Sequence, residues 1–222
     1  MKILFTSIKG GVGKTALAQC IAAHRNATYL SNDFMEDGNN SAIHIPHNIS
    51  HIPKRFNDLE ELVLDFGALS SGLDKKLVYA LKLCNVVVIP TLTDARSLRA
   101  TVETYKLVKP SGKPILIIIN NFTEIKAYQY AVGYLNSELN EPKTSTIRSS
   151  KLFGRIAKDG LQWYQNIHNE KGCYQLRKSA GKHIIVYNYI AMLGALSRKY
   201  RLLLNLNILL VVDRNHNRKK FV

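Results

Sequence analysis

The sequence predicts an α/β protein: one domain over residues 1–222 in which a mostly parallel sheet carries helices on both faces. Three observations lead there. Short apolar runs recur between Ile3 and Ile147, separated by segments of helical period. Two of those runs, Val86–Pro90 and Ile115–Ile119, are apolar without alternation, as strands buried on both faces require. The first run leads straight into a glycine-rich turn, Lys9-Gly10-Gly11-Val12-Gly13-Lys14-Thr15, and then into a helix-compatible stretch.

Taken in order, Ile3–Ile8 is the first strand and roughly Lys14–Arg25 the first helix, with Leu17, Ala18, Ile21 and Ala22 at helical spacing. Thr28–Asn32 reads as a short second strand. Asp33–Arg55 is polar, holds Gly38, Pro46 and Pro53, and shows no period, so it is expected to be irregular. Leu62–Asp65 is the next strand, followed by a helix over about Leu73–Lys82 and the strand Val86–Pro90. Asp94 is placed to cap a helix running to about Val108, whose Leu98, Val102 and Tyr105 form a buried stripe. Ser111-Gly112-Lys113-Pro114 is a turn ahead of Ile115–Ile119. A helix over about Glu124–Leu139 and a short strand at Ser145–Ile147 complete the alternation. Ile184–Arg201 has the pattern of a C-terminal helix with Ile190, Leu193 and Leu196 inward, and Leu202–Val212 fits either helix or strand.

A strand, a glycine-rich turn and a helix start form the context of a phosphate-binding loop. Closely spaced glycines let backbone N–H groups converge on phosphate oxygens, and the helix start adds its positive end. Lys14 is positioned for the β- and γ-phosphates and Thr15 for a hydroxyl on Mg²⁺. Asp65, ending an apolar strand, is the carboxylate expected on the Mg²⁺ side. These features predict a three-layer P-loop NTPase fold that takes a nucleoside triphosphate with Mg²⁺.

Composition adds limits. Apolar residues make up 46% of the chain, enough for a two-sided core. Cys20, Cys84 and Cys173 are odd in number and far apart, which argues for a reducing compartment over a disulfide framework or a zinc site. The chain enters its first strand at once, so no signal peptide is expected, and no run nears the roughly 18 apolar residues of a membrane span. Net charge is +15 and unevenly spread: residues 1–141 hold 15 Lys/Arg against 13 Asp/Glu, and residues 142–222 hold 16 against 3. The less regular portion 160–222 falls in that basic third. Such a field favours polyanions, either nucleic acid or an acidic membrane.

With its second lysine, Lys9, the loop resembles that of the deviant Walker A ATPases, the family of the ParA and Soj partition proteins, MinD and the nitrogenase iron protein. The resemblance covers about residues 1–160 and is nearest to the ParA-like partition proteins. It implies an ATP-dependent homodimer with weak ATPase activity, in which Lys9 reaches the partner's phosphates. It also implies that Asp33 orients the attacking water. Relatives carry two aspartates separated by one residue here. This chain has Ser31 at the first place, and Glu36 or Asp37 is an alternative for the water-positioning role. Val87–Thr91 with Asp94–Leu98 resembles the family's dimer-face segment. Asn120 or Asn121, with Asn120 preferred, falls where relatives hold an asparagine against adenine.

The resemblance makes the basic third a non-specific surface for double-stranded DNA, with Lys178, Lys182, Arg198 and Lys199 as leading contacts beside Lys143, Arg148 and Lys151. It implies plasmid or chromosome partition, a cytoplasmic and nucleoid-associated protein, and a partner protein that stimulates the ATPase. The other reading is a MinD-like peripheral membrane protein, with Leu202–Val212 and Arg214, Arg218, Lys219 and Lys220 on an acidic bilayer. Apolar residues around most of the circumference of Leu202–Val212 fit a buried element better.

Overall fold

The computed structural model describes residues 1–32, 42–46, 51–67, 75–151, 186 and 190. Seven parallel strands form one sheet: β1 (Lys2–Thr6), β2 (Thr28–Ser31), β3 (Ala42–His44), β4 (Leu62–Phe66), β5 (Val86–Thr91), β6 (Ile115–Phe122) and β7 (Thr144–Arg148), in the order β3-β2-β4-β1-β5-β6-β7. Among the described residues, four helices connect them: α1 (Lys14–Arg25), α2 (Lys75–Leu83), α3 (Ala95–Val108) and α4 (Ile125–Glu138). The chain builds outward from β1 to one edge, returns beside it as β4, and then grows to the other edge. The carboxyl end of β1 therefore lies at the reversal of strand order, where open α/β sheets hold their ligands.

Alternation along each strand divides the core in two. Ile3, Phe5, Tyr29, Val63, Val86, Val88, Leu116 and Ile118 face α1, meeting Leu17, Ala18 and Ile21. Leu4, Leu30, Leu62, Leu64, Val87, Ile89, Ile117 and Ile119 face the opposite way, onto α2, α3 and α4. The expected stripe on α3 is there: Leu98, Val102 and Tyr105 are all buried. Val186 and Ile190, four apart and both helical, are buried on the α1 face, so the C-terminal portion supplies apolar residues to that layer. This is a three-layer α/β fold.

Local chemistry sets the boundaries. Asp94 caps α3, its carboxylate accepting from the Ser97 amide at 3.0 Å and the Ser97 hydroxyl at 2.5 Å. α1 ends on Asn26 in the left-handed conformation, its N–H returning to the carbonyls of Ala22 and Ala23. One expectation is corrected: Asp33–Arg55 is not wholly irregular. Ala42–His44 pairs with β2 in parallel register, and Lys54–Phe56 forms a 3₁₀ turn. Three residues carry no period of their own, so the strand arises from its pairing with β2. Lys76 on α2 donates to the Pro46 carbonyl at 3.0 Å, tying the stretch after β3 to the helical layer.

Candidate functional site

The loop between β1 and α1 is built by two glycines in conformations that other residues resist. Gly11 and Gly13 have φ of 74° and 86°, and Gly13 is itself the N-cap of α1. The N-cap is a glycine and, among the described residues, no side-chain cap hydrogen bond is made there, an arrangement that suits an anion at the helix start. Lys14, the first residue of α1, is buried, and Thr15 beside it is half-buried. The arrangement can cradle a phosphate chain with amides and a cation.

Neighbouring elements hold the loop in place. The Asn120 side chain, near the end of β6, is buried and donates from Nδ2 to the Val12 carbonyl at 3.2 Å. Its Oδ1 is buried with no hydrogen-bond partner among the described residues. Asn121 is exposed and left-handed (φ 55°) at a bulge between β6 and β7. Of the two asparagines, then, Asn120 is the one against the loop. At the loop's other end the Ile8 amide donates to Thr104 Oγ1 at 3.1 Å, and the Lys9 amide donates to Ser7 Oγ at 3.2 Å. Thr104 is fully buried on α3 and donates in turn to the Ala100 carbonyl at 2.6 Å.

Asp65 is fully buried near the end of β4. It pairs in register with Phe5 on one side and Ser31 on the other, so it flanks the end of β1 from which the loop springs. The Tyr29 hydroxyl donates to Asp65 Oδ2 at 2.8 Å. Asn32 ties β2 to β4, donating its amide to the Asp65 carbonyl at 3.2 Å and accepting from the Gly67 amide at 2.6 Å. A Mg²⁺ ion bound to nucleotide needs one or two protein oxygens and takes the rest from phosphate and water. A single buried carboxylate beside the loop and the Thr15 hydroxyl fit that demand, and no group of three or more His, Cys, Asp or Glu occurs among the described residues.

Lys9 is half-buried at the loop's start. Its charge is felt at Asp94, whose carboxyl is held below its usual value first by the Ser97 hydroxyl and, among smaller effects, by Lys9. The loop lysine and the start of α3 therefore share one electrostatic neighbourhood. Asp33, Glu36, Asp37 and the basic candidates Lys178, Lys182, Arg198 and Lys199 lie outside the described residues, as does Leu202–Val212. Sequence reasoning passed over Tyr29 and Thr104. A tyrosine in a short apolar strand and a threonine in an amphipathic helix carry no local mark of a site.

Among solved structures, the chain is similar to McdA from Cyanothece in complex with ATP, with TM-score 0.53 and 11% identity over 81% of this chain and 96% of that one. It is similar to MinD from Aquifex aeolicus, with TM-score 0.53 and 15% identity over 83% of this chain and 97% of that one. A plasmid partition protein from Borrelia burgdorferi bound to AMPPNP gives TM-score 0.51 and 18% identity over 76% of this chain and 96% of that one. The fold is the three-layer α/β fold of these solved structures. Neither a protein-family model nor a curated protein matches the sequence. At these identities the likeness lies in the three-layer architecture. No helix among the described residues is long and apolar enough to cross a membrane.

Proposed function

We propose that the chain is an ATP-dependent, dimerising switch ATPase that binds double-stranded DNA without sequence preference and serves plasmid or chromosome partition. The observation that carries this reading is the loop: left-handed Gly11 and Gly13, a helix start whose N-cap is a glycine, and Lys14 at its first position. The loop amides and Lys14 bind the phosphates, and Thr15 and Asp65 hold Mg²⁺. Bound there, Mg²⁺ neutralises developing phosphate charge. Asp33 aligns the attacking water. Asn120 accepts from the adenine amine through Oδ1, the atom not engaged with Val12. Lys9 reaches the partner's phosphates in a nucleotide-bound homodimer, where a second cation adds to charge stabilisation.

The basic third is the DNA surface in this reading, with Lys178, Lys182, Arg198 and Lys199 as its leading contacts. Dimerisation presents two such surfaces to one duplex, so nucleotide state controls avidity without a new contact type. The fold's likeness to a plasmid partition protein supports partition as the process. The setting is cytoplasmic and nucleoid-associated, with a partner protein that stimulates hydrolysis. The likeness to MinD, together with the basic tail, favours a second reading in which the surface is an acidic membrane.

DNA retardation and liposome flotation, run side by side with and without ATP, test the two. ATP-enhanced retardation that weakens steeply with salt is expected. ATP-dependent flotation without retardation would replace DNA by membrane. Lys14→Ala, folded by circular dichroism yet unable to bind ATP in calorimetry, is the expected control; unchanged ATP affinity would overturn the site itself.

A further inference from the structure

We propose that Tyr29 is the positioning residue of the magnesium site: its buried hydroxyl fixes the orientation of the Asp65 carboxylate toward the phosphate loop. The inference rests on the reading of Asp65 given under Proposed function and assigns a residue to that site.

The placement follows from strand register. Tyr29 on β2 pairs with Val63 on β4, and Asp65 lies two residues further along β4, hence on the same face. The tyrosine ring extends along that face and brings its hydroxyl to 2.8 Å from Asp65 Oδ2. Both side chains are buried, Asp65 completely. Apolar packing at this position needs only the ring, and phenylalanine supplies that. A hydroxyl taken out of water is costly unless it is bonded, and here a carboxylate accepts from it. Among the described residues Asp65 is the one buried carboxylate, so the match is specific to the site.

A carboxylate's two oxygens are equivalent by rotation about its terminal torsion, which is broad and nearly two-fold. A donor fixed on one oxygen removes that equivalence and selects the orientation of the other. Ser31, the register partner of Asp65, brings a hydroxyl to the same stretch and no second negative charge. Asp65 is thus the acidic group that β2 and β4 together offer the metal, and its orientation sets how well the site responds to Mg²⁺. Partners of this kind typically change metal affinity about 10- to 100-fold when removed.

The test is calorimetric titration of a non-hydrolysable ATP analogue at a series of free Mg²⁺ concentrations and in EDTA. Wild type, Tyr29→Phe, Asp65→Asn and the double variant are compared, each with its fold checked by circular dichroism. Tyr29→Phe is expected to raise the half-saturating Mg²⁺ concentration about tenfold while leaving affinity in EDTA unchanged. In the Asp65→Asn background the same substitution is expected to add nothing. A core role alone would lower affinity equally with and without Mg²⁺, and that result overturns the proposal. So does a wild-type Mg²⁺ response in folded Tyr29→Phe. If Tyr29→Phe does not fold, Tyr29→Met removes the same hydroxyl with adaptable apolar bulk and is judged by the same outcomes. A wild-type protein that binds the analogue without responding to Mg²⁺ overturns the metal reading of Asp65 and this inference together. A responsive wild type with an equally responsive Tyr29→Phe overturns only the role of Tyr29.

Discussion

The side-chain amide of Asn120 occupies the space that a β-carbon on Gly13 would need. A Cβ built on Gly13 falls inside van der Waals contact with Asn120 Nδ2, and that same nitrogen donates to the Val12 carbonyl at 3.2 Å. Segments that leave strands two places apart in the sheet, β1 and β6, are thereby brought into contact at the phosphate loop. The glycine answers two demands at once, a left-handed backbone at φ 86° and a close approach by a buried side chain.

Gly13→Ala is accordingly expected to cost about 1–3 kcal/mol of stability through backbone strain, with a further steric term from Asn120. Denaturant titration should show Asn120→Ala relieving the steric part in the double variant, a non-additivity that identifies the contact. ATP affinity should fall in Gly13→Ala and stay low in the double variant, because the loop's backbone is still misplaced. Strict additivity of the two substitutions would mean that the side chains do not meet.

How much of this was legible in the sequence depends on how local each signal is. Helix α1 coincides with its expected span, and α4 runs Ile125–Glu138 against an expected span of about Glu124–Leu139, because helical periodicity acts within a few residues. Lys14, Thr15 and Asp65 are nominated by equally local signals, a motif or the end of an apolar run, and their roles at the site are part of the proposal. β3 was not, since Ala42-Ile43-His44 has no period of its own and becomes a strand by pairing with β2. Tyr29 and Thr104 were hidden by distance in sequence: their partners lie 36 and 96 residues away. Strand register and helix packing create those contacts, and neither leaves a pattern within one segment. The basic third was visible only as charge, and its leading residues lie outside the described part of the chain.

The Arg25–Glu61 pair gives a pH-dependent prediction. Arg25 donates to both oxygens of Glu61, at 2.7 and 2.6 Å, and the terminal amine stands 3.5 Å from Oε1. The Arg25 hydrogen bonds hold the Glu61 carboxyl below its ordinary value of 4.5, against a smaller opposing effect of burial. A carboxyl lowered on folding contributes stability above its unfolded value and loses it as pH falls through the lowered, folded one. Both side chains are partly solvated, so Glu61→Gln should cost only about 0.5–1 kcal/mol at pH 7. In denaturant titrations the deficit should persist down to about pH 5 and close below pH 4. A deficit unchanged at pH 3 would show that charge pairing is not its source.

Cys84 should be chemically silent in the folded protein. Burial pushes its thiol up to about 12, outweighing the nearby Lys113 charge, and Sγ approaches the Leu81 carbonyl at 3.6 Å. Since the thiolate is the reactive form, alkylation by iodoacetamide at pH 8 requires both exposure and deprotonation. Peptide mapping by mass spectrometry should find Cys84 unmodified under native conditions and fully modified in denaturant. Rapid native labelling would contradict the packing of the α2–β5 connection.

Thr104 links the start of the phosphate loop to α3, and its removal should be felt at the loop before it is felt in the fold. Its Oγ1 accepts from the Ile8 amide at 3.1 Å while its hydroxyl proton goes to Ala100 at 2.6 Å. Thr104→Val keeps the branched shape and removes both bonds, leaving the Ile8 amide without its side-chain acceptor. The expected cost in stability is about 1–2 kcal/mol. Ile8 directly precedes Lys9, and α3 is capped by Asp94, whose carboxyl responds to the Lys9 charge. A loosened Ile8 therefore frees the lysine's backbone while Lys14 stays anchored on α1. In nucleotide assays Thr104→Val should retain most ATP affinity yet lose ATP-dependent dimerisation measured by light scattering. Thr104→Ser, which restores the hydroxyl without the methyl, should recover dimerisation. If serine rescues nothing, the methyl packing of Thr104 matters and its hydrogen bond to the loop does not.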